Sequence, residues 1–215
     1  MRSILRGIGE ILVSCGVVVA LFMAYMFWGT GVREGDAQNR FASELGSQWA
    51  SPSQAALADA GALVPGRPFA FIRIPAFGPH WRFAVVQGTG FDQLALGPGH
   101  VIGTQRPGQI GNFAVAGHRV TAGNPFWSVP SLRPGDTVFI DTISGTFEYQ
   151  VNADPVWVWP GDTAVLSPSP GFPGQRPRQA WITLITCDPA WSGTHRVVVT
   201  GKLIKRFPRG GGEGS

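Results

Sequence analysis

The chain has 215 residues, enough for one domain of ordinary size with appendages, and its 30 glycines and 18 prolines favour short strands over a helical bundle. The formal net charge of +4 suits an anionic wall or membrane surface, and no basic cluster is interleaved with aromatic residues in the manner of nucleic-acid-binding proteins. One of the two cysteines lies in an apolar stretch and the other outside it, which excludes an internal disulfide framework.

The first predicted element is a membrane span. Residues 11–28 form a mostly apolar run without charge, close to the ~20 residues that cross a bilayer. Arg2 and Arg6 precede the run, so the positive-inside rule places residues 1–10 in the cytoplasm and the rest of the chain outside the cell. A cleaved signal peptide is the alternative, but no small-x-small cleavage site directly follows the run. We therefore expect a single-pass anchor in which Cys15 faces lipid.

Residues 29–67 are expected to form an extracellular stem between the anchor and the domain. The stretch is polar, rich in Ala, Ser and Gln, and broken by prolines. Residues 41–45 and 54–60 have the composition of short helices within it.

From residue 68 onward, short apolar runs separated by turn residues predict a β domain that ends at residue 206. Strands are predicted at residues 69–74, 81–86, 112–116, 137–142, 146–158, 181–186 and 196–204. A short helix is predicted at 91–96 and a helical turn within 125–132. Seven or eight such strands predict a closed all-β barrel. The glycine-rich residues 207–215 are expected to be a disordered tail.

Cys187 is the most informative residue of the chain. It ends the run Thr183-Leu184-Ile185-Thr186-Cys187, and the Asp-Pro step that follows places the thiol at the end of a strand. A cysteine in an apolar strand is often only a small buried hydrophobic residue. An unpaired thiol in an exported domain is also a candidate nucleophile.

His118 and Arg196 also lie at the ends of predicted strands. Small residues, Ala114 and Ala116, precede His118 on its face and leave room around the imidazole. The guanidinium of Arg196 is permanently charged and offers directional donors for a thiolate or an oxyanion. Taken singly, a histidine is more often a structural hydrogen-bonding residue and an arginine at a strand start is usually solvated, so the hypothesis depends on the three residues together.

The order His…Thr-Leu-Ile-Thr-Cys…Arg resembles the sortases, the membrane-anchored cysteine transpeptidases of Gram-positive bacteria. The blocks Leu96-Gly97-Pro98-Gly99-His100, Gly111-Asn112-Phe113-Ala114-Val115-Ala116-Gly117-His118-Arg119 and Asn124-Pro125-Phe126 look like the class E branch of actinobacteria. The resemblance covers roughly residues 68 to 204. It implies an eight-stranded barrel with short helices, which fits the strand count and follows one transmembrane helix here.

For the site, the resemblance implies that Cys187 is the nucleophile, His118 the general acid and base, and Arg196 the stabiliser of the oxyanion or the substrate. It implies cleavage of a C-terminal sorting signal between Thr and Gly through a thioester. The partners it implies are surface proteins that bear this signal and the amine of a lipid II-type peptidoglycan precursor. It implies no cofactor.

Three residues near the site are candidate contacts to the substrate: Thr121, Ala122 and Thr186. The resemblance implies a signal of the form Leu-Pro-x-Thr-Gly, or the class E variant Leu-Ala-x-Thr-Gly. Class E enzymes commonly carry tyrosine where Ala122 stands, and that tyrosine is associated with the alanine-containing signal. The choice between the two signals therefore stays open.

Other functional classes are weighed against this reading. The sequence has no Cys-x-x-Cys or His-Glu-x-x-His spacing for a metal and no Gly-x-Gly-x-x-Gly loop for a nucleotide, so we expect neither a metal nor a cofactor. A thiol hydrolase with water as acceptor and a non-catalytic wall-binding barrel are the alternatives, and the intact triad argues against the second. Attachment of monomeric proteins is favoured over pilus polymerisation.

Overall fold

The computed structural model describes residues 2–25, 30–50 and 61–209. Helix α1 (Arg2–Ala24) is apolar, and its side chains from Ile11 to Phe22 are exposed. Its segment Arg6–Ala24, with a mean hydropathy of 2.2, is long and apolar enough to cross a membrane. The apolar helix thus begins before the predicted run 11–28, and the last three residues of that run lie outside the described residues.

A β-barrel follows. Its strands are β1 (Pro68–Arg73), β2 (Arg82–Gln87), β3 (Gly99–His100), β4 (Gly111–Ala116), β5 (Thr137–Thr142), β6 (Gly145–Val151), β7 (Val156–Val158), β8 (Ala180–Asp188) and β9 (His195–Pro208). The hydrogen-bonded order β6-β5-β1-β2-β3-β4-β8-β9 closes on itself because β6 also pairs with β9. These eight strands form the closed all-β barrel predicted from the sequence, and β7 pairs with the first part of β9.

Short helical segments connect the strands. The four-residue helix α3 (Phe91–Leu94) lies within the predicted segment 91–96, and a 3₁₀ turn (Val129–Ser131) lies within 125–132. Two further 3₁₀ turns are Pro75–Phe77 and Thr163–Leu166. Because all of these segments are short, the barrel is the part of the domain that positions the site.

Packing in the barrel core shows which face of β8 carries Cys187. Ile182 and Leu184 of this strand pack inside the barrel against Phe113 and Val199. Side chains alternate along a strand, so Cys187, an odd number of residues away, is on the outer face. The site therefore lies on the outside of the barrel, at the end of β8.

Two predicted strand boundaries differ from the structure because of long-range pairing. The predicted strand 146–158 is divided into β6 and β7, which follow one another along the same edge of β9 and are separated by a turn that contains Pro155. β9 continues to Pro208 because Gly145 of β6 pairs with it, so residues 207 and 208 are strand rather than tail. Residues 210–215 lie outside the described residues.

Helix α2 (Thr30–Ala50) replaces the short helix predicted at 41–45. Its apolar residues are buried in a cluster with residues of β1 and β2: Ala37, Phe41, Leu45, Phe71, Ala84 and Val86. Gln38 adds hydrogen bonds, since it accepts from the Ala84 amide at 2.6 Å and donates to the Leu96 carbonyl at 2.7 Å. This part of the predicted stem is therefore packed on the barrel. The helix predicted at 54–60 lies outside the described residues.

Candidate active site

Cys187 is half-buried and lies one residue before the end of β8. Its partner across the β8–β9 ladder is Arg196, and opposed residues of an antiparallel pair place their side chains on the same face. Cys187 Sγ and Arg196 Nη1 both lie within 3.6 Å of the position that a Cβ on Gly193 would occupy. Gly193 has a φ of 59°, so its lack of a side chain both permits this backbone conformation and leaves space between sulfur and guanidinium.

Hydrogen bonds hold the Arg196 guanidinium in this place. Nη1 donates to the carbonyl oxygens of Gly193 at 2.6 Å and His195 at 3.0 Å. The loop between β8 and β9 is thereby folded over the arginine. The result is a permanent positive charge beside the thiol.

His118 reaches the same place from the loop after β4. β4 and β8 are parallel neighbours, with Ala116 opposite Ile185, so both strands end at the same edge of the barrel. A cavity of about 280 Å³ at this edge is lined by Phe22, Met23, His118, Arg119, Val120, Thr121, Cys187, Ala190 and Trp191. Burial lowers the pKa of His118 below its ordinary value of 6.5. The structure thus brings His118 and Cys187 to one cleft, with Arg196 on the β9 side of the thiol.

An ion pair that was not predicted from the sequence links the two halves of the cleft. Arg119 Nη1 donates to the carboxylate of Asp188 and, at 3.3 Å, to the carbonyl of Cys187. Trp157 Nε1 donates to the other oxygen of Asp188 at 2.9 Å. Arg119 directly follows the histidine and Asp188 directly follows the cysteine. These two neighbouring positions are the feature of the sequence that could have indicated the ion pair.

The three candidate substrate contacts have different positions. Thr121 lines the cleft. Ala122 is 4% exposed and adopts a left-handed conformation with a φ of 51°. Thr186 is buried, and its hydroxyl donates to the Gly117 carbonyl at 2.9 Å, which ties β8 to the end of β4. That hydroxyl is engaged with the backbone next to His118, and a direct contact of Thr186 with substrate stays a prediction.

Two other histidines, His100 and His195, have structural surroundings. His100 is buried, with Nδ1 2.6 Å from Gln87 Oε1, and desolvation lowers its pKa to about 4. His195 stacks on Trp159 with 4.5 Å between ring centroids. Among residues 2–25, 30–50 and 61–209, no group of three or more His, Cys, Asp or Glu side chains is arranged to hold a metal ion.

A buried carboxyl group of α2 lies against the loop that follows His118. Glu34 is 4% exposed, and its Oε1 has no hydrogen-bond partner among the described residues. A Cβ on Gly123, whose φ is 70°, would clash with the Glu34 carboxyl group. Desolvation raises the pKa of Glu34 to about 7. The Glu34 carboxyl group therefore packs directly on the backbone of this loop.

The barrel domain matches a known family. The profile of the family described as Sortase domain matches residues 72–204, more than half of the chain. The chain belongs to the sortase family.

Its similar relatives are class E sortases. Sortase SrtE1 of Streptomyces coelicolor is 32% identical over 216 residues, and the alignment covers 97% of this chain and 59% of that protein. The structure of sortase E from Streptomyces avermitilis superposes with a TM-score of 0.63 at 39% identity, covering 71% of this chain and 97% of that one. The crystal structure of Streptomyces coelicolor Sortase E1 with a tripeptide in its active site gives 0.62 at 32%, covering 72% and 98%. The predicted resemblance is confirmed.

Proposed function

We propose that this chain is a membrane-anchored cysteine transpeptidase that attaches surface proteins to a cell-wall precursor. The observation that carries the proposal is the shared cleft of His118 and Cys187, with Arg196 in register beside the cysteine. A nucleophile, an acid–base group and a fixed cation at the end of two parallel strands are the parts that acyl transfer requires.

In the first proposed step, the Cys187 thiolate attacks the threonine carbonyl of a sorting signal. A C–S bond forms, and the oxyanion of the tetrahedral intermediate is stabilised by the Arg196 guanidinium. The C–N bond to glycine then breaks, and His118, as imidazolium, gives its proton to the leaving amine. The product is a thioester on Cys187.

In the second proposed step, the amine of a peptidoglycan precursor attacks the thioester. His118, now neutral, takes the proton of the amine. A new C–N bond forms, the C–S bond breaks, and the thiolate returns. Because burial lowers the pKa of His118, most of the imidazole is neutral at neutral pH and able to act as this base, and the imidazolium of the first step is the minor form.

The proposed orientation places the N-terminal residues 1–10, which include the start of α1, in the cytoplasm and the barrel outside the cell. Arg2 and Arg6 stand at the start of α1, and its segment Arg6–Ala24 is the candidate span. The barrel follows the other end of this helix. Substrates and acceptor are then met on the outer surface of the membrane.

The test uses the full chain in detergent with two peptides, one carrying Leu-Pro-x-Thr-Gly and one Leu-Ala-x-Thr-Gly, with and without an added glycine amine. Mass spectrometry should find cleavage after Thr, an acyl adduct on Cys187 and a conjugate with the amine. Cys187→Ala should abolish all three, whereas Cys15→Ala, which removes the other cysteine, should leave them unchanged. The peptide that is cleaved faster shows which of the two signals is preferred by a chain that carries Ala122 at this position.

Two outcomes would overturn the proposal. Cleavage with an adduct but no amine conjugate would make the chain a thiol hydrolase. A folded chain whose thiol reacts with iodoacetamide, but which forms no adduct with either peptide, would favour a wall-binding barrel without this activity.

A further inference from the structure

Exposed tryptophans gather around the cleft. Trp157, Trp159 and Trp191 are 55%, 68% and 86% exposed. A tryptophan buries 150–250 Å² when it finds a partner, so several exposed indoles on one side of a protein indicate a contact surface.

These three indoles belong to one patch, which we call the tryptophan rim: Trp157, Trp159 and Trp191. Trp191 lines the cleft beside Cys187, and Trp157 is fixed by its hydrogen bond to Asp188. Trp159 stacks on His195, which is the ladder partner of Asp188. The rim therefore lies around the end of β8, and contacts hold two of its three side chains, Trp157 and Trp159.

The end of α1 touches the same place. Phe22 and Met23, near the last residue of this helix, line the cavity together with Trp191. If α1 spans the membrane, its end lies at the boundary between acyl chains and headgroups. The cleft and the rim are then held at that boundary.

We propose that the tryptophan rim inserts into the outer headgroup layer of the membrane, so that the cleft opens at the lipid surface. Indoles prefer this layer because one part of the ring is apolar and the N–H is polar. Charge permits the same occupant, because Arg119 pairs with Asp188 and so offsets a negative charge that would repel anionic lipid headgroups. The inference rests on the proposed span of α1 but not on the transfer reaction.

The test is the quenching of tryptophan fluorescence by lipids brominated near the ester end of the acyl chain. The full chain is reconstituted in phosphatidylcholine–phosphatidylglycerol vesicles that contain these lipids. The rim variant Trp159→Phe/Trp191→Phe is compared with a matched control, Trp81→Phe/Trp181→Phe. The control removes two indoles that are mostly covered, Trp81 by Phe77 and Phe83 and Trp181 within β8.

All proteins carry Trp28→Phe, which removes the indole of the apolar run 11–28. In this background we expect the rim variant to lose much of the lipid-quenchable emission, with Trp157 supplying the rest, and the control variant to keep it. Equal quenching of wild type and rim variant would show that the rim faces water and would overturn the inference. If soluble cell-wall saccharide fragments then shifted the emission of the wild type alone, the rim would be a saccharide platform. An alkaline wash tests the span separately, because release of the chain would show that α1 does not anchor it. Activity on soluble peptides reports on the proposed reaction independently of both.

Discussion

Arg119 connects the segment that carries His118 to the strand that carries Cys187. Its guanidinium donates to Asp188 and to the Cys187 carbonyl, and its side chain is only 17% exposed. The ring of Trp127 lies 5.9 Å from the guanidinium carbon. Because one side chain contacts both halves of the cleft, we infer that Arg119 positions the imidazole relative to the thiol without acting on substrate itself.

We predict that Arg119→Gln lowers kcat more than it raises KM, by roughly tenfold to a hundredfold, since misplacement of reacting groups by about 1 Å has effects of this size. The measurement is peptide cleavage, together with the rate at which iodoacetamide alkylates Cys187. Arg119→Lys should restore part of kcat, because it keeps the charge but loses the planar guanidinium whose Nη1 donates to both the Asp188 carboxylate and the Cys187 carbonyl. Arg133→Gln is the control, since Arg133 is exposed in the turn before β5. An unchanged kcat in Arg119→Gln would contradict the positioning role.

The sequence predicted the residues of the site better than their connections. Cys187, His118 and Arg196 could be found because each lies at a strand end within a recognisable motif. The Arg119–Asp188 pair joins residues 69 positions apart, and it forms only because parallel β4 and β8 end at the same edge. The hydrogen bond of Thr186 to the backbone of Gly117 likewise depends on the pairing of β8 with β4, which its position next to the cysteine does not reveal.

At the scale of elements, α2 is the part that the sequence pattern concealed. Its polar, Ala- and Ser-rich composition is typical of a linker, although Ala37, Phe41 and Leu45 recur every four residues as on one helix face. Whether such a short stripe finds an apolar partner depends on the barrel surface, here Phe71 and Ala84, which local patterns do not reveal.

Leu45→Ala should weaken the docking of α2. The side chain is fully buried, and deletion of such a leucine costs about 2–5 kcal/mol. The expected result is a lower urea midpoint, or a separate early transition if α2 detaches before the barrel unfolds. Ser43→Ala, on the exposed side of the same helix, should change stability by no more than about 0.5 kcal/mol. Equal midpoints for wild type and Leu45→Ala would mean that this contact does not stabilise the protein.

Glu34 should make the stability of the protein fall as pH rises. Its pKa is about 7 in the folded chain against 4.5 for the ordinary group, so between these values the folded state holds a proton that the unfolded state has lost. The contribution of Glu34 to the unfolding free energy is therefore largest below pH 4.5, decreases through the window by at most about 3 kcal/mol, and is level above 7. His100, whose pKa is lowered to about 4, contributes in the opposite direction, so the effect of Glu34 is measured as the difference between the wild type and the variant. Thermal unfolding of Glu34→Gln, which has no proton to lose, should show a smaller decrease over this range than the wild type.

Glu34→Asp is the matched control, because it keeps a carboxyl group at the same position. Its stability should still fall with rising pH. If the wild type and Glu34→Gln have parallel profiles between pH 4.5 and 7, the buried carboxyl group does not account for the effect.

At the scale of the whole molecule, the barrel, helix α1 and the tryptophan rim together place the proposed transfer reaction at the membrane surface. The pairing of β6 with β9 closes the barrel, and Cys187 lies on its outer face near the end of β8. The proposed chemistry therefore takes place on the outside of the barrel. The end of α1 lines the cleft directly, and the tryptophan rim flanks the same opening. Under the proposed function, a cleft held in this way would meet acceptors that are themselves attached to lipid.

Trp159→Ser should therefore distinguish acceptors by where they are presented. Trp159 is not among the residues that line the cleft, so transfer to a water-soluble amine in detergent should equal that of the wild type. Transfer to a lipid-linked amine in vesicles should fall on the order of fivefold, which corresponds to about 1 kcal/mol for one indole withdrawn from the interface. The measurement is the initial rate of conjugate formation with each acceptor at matched enzyme and peptide concentrations. Trp159→Phe, which keeps an apolar ring, should recover most of the vesicle rate. Equal losses with both acceptors would place Trp159 in the cleft itself, because a surface contact with lipid has no effect on a soluble amine.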